Sequence, residues 1–428
     1  MRKTNTSLTH QNTKELLEMN MQPNASALQG LKVLEVGNYI AGPYCGTLLA
    51  DLGATVTKIE DPREGDVVRG FAPMNEAVGE SSAFVTLNRN KRSIALDLKS
   101  ERGREIFLSL ARTADVIVEN IRPGAMKRLR LDYDTLSEHN PGLIYLSASG
   151  WGQDGPLAAN AGLDIMAQAR SGLMSVTGTP DGDPVKVGVP VCDIGCAMYG
   201  AIAVLAAVNH RHQTGEGQRI DVSLFESGVS YAIWEFARYN ASGEIPMRRG
   251  SAHQTAAPYQ AIRAADGWFT IGAATPKTWL AFCAAFEFEW MLDDERFATN
   301  TARMDNRAAL IELIEARTLG NTRAHWLQLL DEAGVPAAPI NDYSQVFADE
   351  HLLARDFFWE SEHSNGERVL QVGSPMRLSK TPAVRHSAGP VLGQNTAEAL
   401  DELGYSQADI AELSAEGVIA VSGSARND

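Results

Sequence analysis

From residue 31 onward, apolar residues come in short runs separated by polar or glycine-bearing turns. Leu31–Val36 (LKVLEV) reads as a strand, and Thr55–Glu60 (TVTKIE) as another. Between them Ala41–Leu52 (AGPYCGTLLADL) reads as a helix, with Pro43 tolerated in its first turn and Gly53 ending it. Strand, short helix and strand imply a parallel pair joined by a right-handed crossover. The alternation continues through Ser93–Leu98, a helix near Arg102–Ala111, Val116–Glu119 and Leu143–Ser147. The N-terminal half is therefore predicted to be an α/β fold, an open, doubly wound parallel sheet. Ile194–His212 is a long, mostly apolar helix, and Gln218–Leu224 (QRIDVSL) a strand after the turn Thr214–Gly217.

The texture changes beyond Gly243. Gly267–Gly272 (GWFTIG) is strand-like, and helices are predicted near Lys277–Phe286, Arg307–Thr318 and Arg323–Ala333. Residues 246–345 read as a smaller α+β domain. After Phe357 come a strand-like VLQVGSP and a last helix near Gln394–Leu403. The polar N-terminus, 1–28, reads as a loose tail without the apolar stretch of a signal peptide.

Composition narrows the class. An apolar fraction of 44% and a charged fraction of 21% are those of a soluble globular chain, and no apolar run reaches the ~18 residues of a membrane span. A cytoplasmic location and no membrane partner are the expectation. The net charge of −15 argues against a nucleic-acid partner, which calls for a basic face. It leaves room for a small anion held by a local cationic cluster. Cys45, Cys192, Cys196 and Cys283 are few and sit in apolar contexts, as reduced thiols do. Cys192 and Cys196 are too few ligands for zinc, so no metal is expected.

Chemistry has few places to reside. The first βα turn, Gly37–Gly46, lacks the G-x-G-x-x-G fingerprint. A basic series comprises Lys91, Arg92, Lys99, Arg122, Lys127, Arg128 and Arg130, at or beyond predicted strand ends. It reads either as solvated surface or as a seat for a polyanion carrying an adenosine phosphate. Two aspartates lie in apolar company: Asp164 in AGLDIMAQARSG and Asp193 in GVPVCDIGCAMYG. An Asp just before a long helix reads as its N-cap, and Asp164 as a turn or cap after Gly162. A carboxylate at a helix N-terminus also feels the positive end of the dipole, stays ionised, and can serve as a nucleophile. Both readings of Asp193 stand. Gly-x-Ser-x-Gly is absent, and His253 in RRGSAHQ is the one histidine in a basic, loop-like setting.

Six stretches in order resemble the class III (formyl-CoA transferase, CaiB–BaiF type) CoA-transferases: IAGPYCGTLLADLGATVTKIE, NRNKRSIALDLK, ADVIVENIRPGAMKRL, GLDIMAQARSGLM, GVPVCDIGCAMYGAIAVLAA and HQTGEGQRIDVSL. The resemblance spans about residues 30–410. It implies that Asp193 is the catalytic aspartate. It implies that Leu96, Leu98 and Lys99 hold the CoA adenine and phosphates, and that Arg128, with Ala125, meets a CoA phosphate. Tyr39, Ile40 and Ala41 fall near the thioester end. Ile40 and Asp61 depart from the Gln and Arg of the formyl-CoA enzyme, which argues against formyl/oxalate specificity. Coenzyme A and acyl-CoA are then substrates, with no permanently bound cofactor.

The resemblance also implies architecture. Members form interlocked homodimers, with the small domain inserted between 29–230 and a return segment, 346–428, that completes the large, Rossmann-like domain. The RRGSAH loop resembles the dicarboxylate-using branch, in which Arg248, Arg249 or Arg170 holds a remote carboxylate. Gly250, His253 and Asp164 join these as substrate-site candidates. Backbone amides near Gly42 or Gly250 are expected at the thioester oxyanion. Racemases of the superfamily carry a His before the aspartate matching Asp164. Here that residue is Leu163, which cannot carry a proton, so acyl transfer is favoured over racemisation. The alternatives are an α-methylacyl-CoA racemase or isomerase, and a non-catalytic CoA-ester binding protein.

Overall fold

The computed structural model describes residues 26–422. The tail expected over 1–28 lies outside these residues, except for its last three. The chain divides into two compact units. The first comprises residues up to Ser171, Gly188–Tyr231 and Ala354 onward; the second comprises Gly172–Val187 and Ala232–Leu353. Gly172–Val187, which the sequence reading leaves in the large domain, thus groups with the second unit.

The first unit is built on strands β1 (Lys32–Val36), β2 (Thr55–Glu60), β3 (Lys91–Leu96), β4 (Val116–Glu119), β5 (Ile144–Ser149), β6 (Gln218–Ser223) and the short β7 (Ile419–Ala420). Their spatial order is β7-β3-β2-β1-β4-β5-β6. All neighbours are parallel except β7, which closes the edge antiparallel to β3, pairing Ile419 with Leu96. The order 3-2-1-4-5-6 is that of the Rossmann doubly wound sheet, reached here without its glycine fingerprint.

Side chains alternate across this sheet and separate into two cores. On one face Leu34, Val36, Ile59, Ile94 and Ile117 pack with Ile106 and Phe107 of helix α2 (Glu101–Ala111) and with Leu400 and Leu413 from the C-terminal segment. On the other, Val33, Val56, Val116, Val118 and Leu146 meet Leu48 and Leu49 of α1 (Ala41–Asp51) and Ala197, Ala201 and Val204 of α4 (Val191–Thr214). Helix α4 has the length and apolar composition of a membrane span, although no such segment was expected from the sequence. Half of its most apolar window is buried, as in a core helix, because its small residues let it lie flat on the sheet.

The second unit has its own core. An antiparallel sheet in the order Ala337–Pro339, Gly267–Gly272, Tyr259–Ala264 is packed by helices Pro276–Ala285, Arg307–Thr318 and Arg323–Glu332. Trp279, Phe282, Phe286, Phe297 and Trp326 fill it, with Phe282 and Phe286 stacked at 4.4 Å.

Candidate active site

Helix α4 begins at Val191, with Pro190 at the N-cap position, so Asp193 is the third residue of the first turn and not the cap. The cap comes from elsewhere. Asp164, the first residue of α3 (Asp164–Arg170), accepts hydrogen bonds at Oδ1 from the amides of Cys192 (2.9 Å) and Asp193 (3.4 Å). Its Oδ2 accepts from Gln168 Nε2 at 2.5 Å. One carboxylate therefore satisfies the amides that proline at the N-cap cannot serve. It also sets a like charge beside Asp193.

Asp193 is half-buried, and burial first, then the Asp164 carboxylate, raises its pKa from 3.8 to about 7. The expectation that the helix end keeps it fully ionised is corrected: desolvation and a like charge outweigh the dipole. The neighbouring thiols are no competitors. Burial, then the charges of Asp164 and Asp193, pushes Cys192 to about 12, and burial holds Cys196 well above its usual range. Gly195 lies two residues further along the helix than Asp193. A Cβ there would overlap the hydroxyl of Tyr231, which donates to the Val191 carbonyl at 3.3 Å. Leu163, immediately before Asp164, is 52% exposed and carries no titratable group.

The turn between β1 and α1 lies at the carboxyl end of the sheet, next to the switch in strand order between β1 and β4. Tyr39 is 45% exposed with φ of 64°, Ile40 is the N-cap of α1, and Ala41 is buried. Asn120, just after β4, closes the crevice: its Oδ1 accepts from the Asn38 amide at 3.0 Å and its Nδ2 donates to the Asn38 carbonyl at 2.8 Å. Lys99 is exposed beyond β3, and its carbonyl accepts from Arg104 at 3.0 Å. Arg128 is exposed beyond β4, in the short helix Ala125–Leu129, and lines a hollow of about 430 Å³ with Arg104 and Arg130. Leu98 is partly buried against the core, while Leu96 is 1% exposed, so its side chain serves that core.

The basic series does not act as one cluster. Lys91 and Arg92 sit at the amino end of β3, away from the carboxyl edge. Lys91 is buried against Glu35, and Arg92 pairs with Glu398 and Glu402.

The sequence profile of CoA-transferase family III matches residues 28–396. The chain is 38% identical to succinate–glutarate CoA-transferase of Agrobacterium fabrum over 381 residues, covering 88% of this chain and 95% of that one. This chain belongs to CoA-transferase family III. It is also 36% identical to human succinyl-CoA:glutarate CoA-transferase, covering 92% and 90% of the two chains. The crystal structure of a CAIB/BAIF family protein from Brucella suis superposes with a TM-score of 0.81 at 39% identity, covering 89% of this chain and all of that one. The chain is thus a CoA-transferase by family.

The remaining candidates divide between the units. Arg170 is exposed in the first, with its guanidinium 6.0 Å from the Trp151 ring and 5.9 Å from Phe225. Arg248, Arg249, Gly250 and His253 belong to the second. Arg248 donates to the Thr179 carbonyl at 3.3 Å. Arg249 and Gly250 line a cavity of about 260 Å³ with Trp234, Arg238 and Met247. His253 stacks on Tyr259 at 4.6 Å, and its Nδ1 accepts from the Thr255 amide at 3.2 Å, so the ring is occupied in shaping its loop. The Gly250 amide donates to the Gly178 carbonyl at 2.8 Å, which removes it as an oxyanion donor. Among the described residues, no group of three or more His, Cys, Asp or Glu is placed to hold a metal.

Sequence reasoning missed two parts of the site. Asp164 as the cap of a different helix was invisible because capping rules are local, and Asp164 lies 29 residues upstream of Asp193. Charges beneath the first turn were missed although a signal existed. Glu35 follows Val33 and Leu34 and precedes Val36, and Lys58 stands between Val56 and Ile59, in central strands where a charge calls for a partner.

Proposed function

We propose that this family III enzyme moves CoA from succinyl-CoA, or a similar short acyl-CoA, to a short dicarboxylic or hydroxy acid. Asp193 carries the acyl and CoA groups in turn. The observation behind the mechanism is a half-buried carboxylate in the first turn of α4, with its pKa raised to about 7 beside Asp164. Such a group is ionised in a useful fraction at neutral pH and is more nucleophilic than an ordinary carboxylate. The substrate class rests on the relatives, which are named for succinate–glutarate, succinyl-CoA:mesaconate and succinyl-CoA–D-citramalate transfer.

The ionised Asp193 oxygen attacks the thioester carbon. The C–S bond breaks, leaving an aspartyl–acyl anhydride and CoA thiolate. The thiolate attacks the aspartyl carbonyl, expels the donor acid as its carboxylate, and forms an aspartyl-CoA thioester. The acceptor carboxylate then attacks that carbonyl, releasing thiolate and forming a second anhydride. Thiolate attack on the acceptor acyl carbon completes the new thioester and frees Asp193. Each step exchanges one carboxylate or thiolate for another, so no metal or redox group takes part. CoA held through Lys99, Leu98, Ala125 and Arg128, with the Leu96 backbone, keeps the thiolate close; well-oriented groups reach effective molarities of about 10⁵–10⁸ M. Tyr39, Ile40 and Ala41, with amides near Gly42, meet the thioester end. Arg170, Arg248 or Arg249 takes the remote carboxylate.

The working form is proposed to be a homodimer. In the first unit, α4 exposes Met198, Tyr199 and Ile202, and α3 exposes Ile165 and Met166. A second copy would cover these apolar faces.

The test is succinyl-CoA incubated with glutarate, mesaconate or citramalate. CoA transfer is expected, Asp193→Ala is expected to abolish it, and hydroxylamine is expected to trap an aspartyl species in the wild type only. Full activity in Asp193→Ala would sink the mechanism. Exchange of the α-proton with D₂O without an acceptor acid would favour the isomerase reading instead.

A further inference from the structure

Beneath the turn that joins β1 to α1 lies a chain of buried charge. Glu35 and Lys58, facing each other from neighbouring central strands, are fully buried, with Lys58 Nζ 2.8 Å from Glu35 Oε1. The same ammonium is 2.9 Å from Asp66 Oδ2. The other Glu35 oxygen is 2.7 Å from Lys91 Nζ. Burial alone would raise the Glu35 carboxyl, but the two lysines outweigh it and hold it below its ordinary range.

Three of the four members, Lys58, Asp66 and Lys91, also grip the backbone above. Lys58 Nζ donates to the Gly37 carbonyl at 2.8 Å. Asp66 Oδ1 accepts from the Tyr39 amide at 3.3 Å and from the Val68 amide at 3.0 Å. Lys91 Nζ donates to the Pro43 carbonyl at 2.7 Å. The turn is thus held at its start and its middle, and the first turn of α1 is held at Pro43. Its middle residue, Tyr39, has a φ of 64°, which a bulky side chain seldom adopts unless its surroundings hold it there.

Fold stability does not account for this arrangement. Buried ion pairs replaced by apolar residues of similar volume often leave stability unchanged or improved. Val56 and Ile59, on either side of Lys58, pack the same strand with no charge.

We propose that Asp66 and Lys58 are positioning residues for CoA transfer: they fix the Gly37–Ile40 turn so that Tyr39, Ile40 and Ala41 hold the thioester carbonyl in line with its attacker. The inference rests on the proposed reading that these three residues meet the thioester end. Neither Asp66 nor Lys58 touches substrate in this account.

Asp66→Asn is the direct test. The amide oxygen still accepts from Tyr39 and Val68, while its NH₂ faces the Lys58 ammonium and breaks that link. A misplacement of about 1 Å costs up to about 10²-fold in rate. We expect kcat to fall 10- to 100-fold, with KM for the free acceptor acid unchanged. A melting point lowered with kcat retained at temperatures well below it is the signature of a merely structural role and overturns the proposal. Should Asp66→Asn not fold, Tyr39→Gly keeps every buried charge and relaxes the turn from above. Its kcat is expected to fall with melting unchanged, and an unchanged kcat overturns the proposal. Asp193→Ala in the same assay separates the two ideas. Its inactivity beside a fully active Asp66→Asn rejects the positioning role alone, whereas full activity of Asp193→Ala rejects the role of Asp193 instead.

Discussion

At the scale of single residues, the decisive property is that Asp193 holds its proton to about pH 7. As the nucleophile must be ionised, kcat/KM for the acyl-CoA donor is expected to rise with pH and level off above about 7. Asp164→Asn removes the neighbouring negative charge and is expected to move that limb to lower pH. It should also cost about 1 kcal/mol of stability through the weakened cap on α4. A pH–rate series on both proteins checks the shift; a limb that stays in place means that Asp164 does not tune Asp193. The same pKa has a consequence for stability. Because the folded-state value lies above the unfolded one, the fold binds the proton more tightly, and stability is lost as pH climbs from about 4 to about 7. Asp193→Asn lacks this loss. It is expected to melt with the wild type at pH 4 and above it at pH 8, by about 1–2 kcal/mol after allowing for solvent screening of a half-buried group. Equal stabilities at pH 8 would contradict the raised pKa.

At the scale of elements, α4 shows how far a sequence pattern reaches. The apolar run after Asp193 announced a long helix, and the helix is there as Val191–Thr214, starting three residues before the expected Ile194. The alternation of strands and helices likewise announced the parallel sheet, because period-2 and period-3.6 burial leave separate traces in the chain. What did not show were contacts between elements distant in sequence. The cap that α3 lends to α4, and the pairing of Lys58 with Glu35 and Asp66, are set only once the sheet has formed. Lys91 illustrates the converse: it looked like one of a basic series, yet its place at the start of β3 carries it into the interior. Helix α4 and α5 (Leu224–Ser230) meet where Gly195 leaves room for the Tyr231 hydroxyl, just past the end of α5. Gly195→Ala is expected to displace Tyr231 and cost about 1–3 kcal/mol, read by urea denaturation, as extra volume in a packed site does. A variant as stable as the wild type would mean that Tyr231 swings away freely.

At the scale of the whole molecule, the protein carries −15 charges and is proposed to bind a substrate that is itself a polyanion. Long-range repulsion therefore works against capture, and affinity must come from cations close to the phosphates. Lys99 and Arg128 are exposed past the carboxyl ends of β3 and β4, where open α/β sheets receive ligands. Charges this exposed are screened over about 8 Å at physiological ionic strength, so a contact made only by them weakens as salt rises. KM for succinyl-CoA is accordingly expected to increase with added salt while kcat stays level, since phosphate contacts lie far from the reacting carbon. Lys99→Ala and Arg128→Ala should each raise that KM severalfold at low salt. The double variant should lose that rise of KM with salt, because the attractive charges that salt screens are then gone. The opposing net charge predicts a further asymmetry: the KM of the small acceptor acid, which meets neither residue, should not change in these variants. If the double variant keeps the wild-type salt slope, the CoA phosphates are held elsewhere on the molecule.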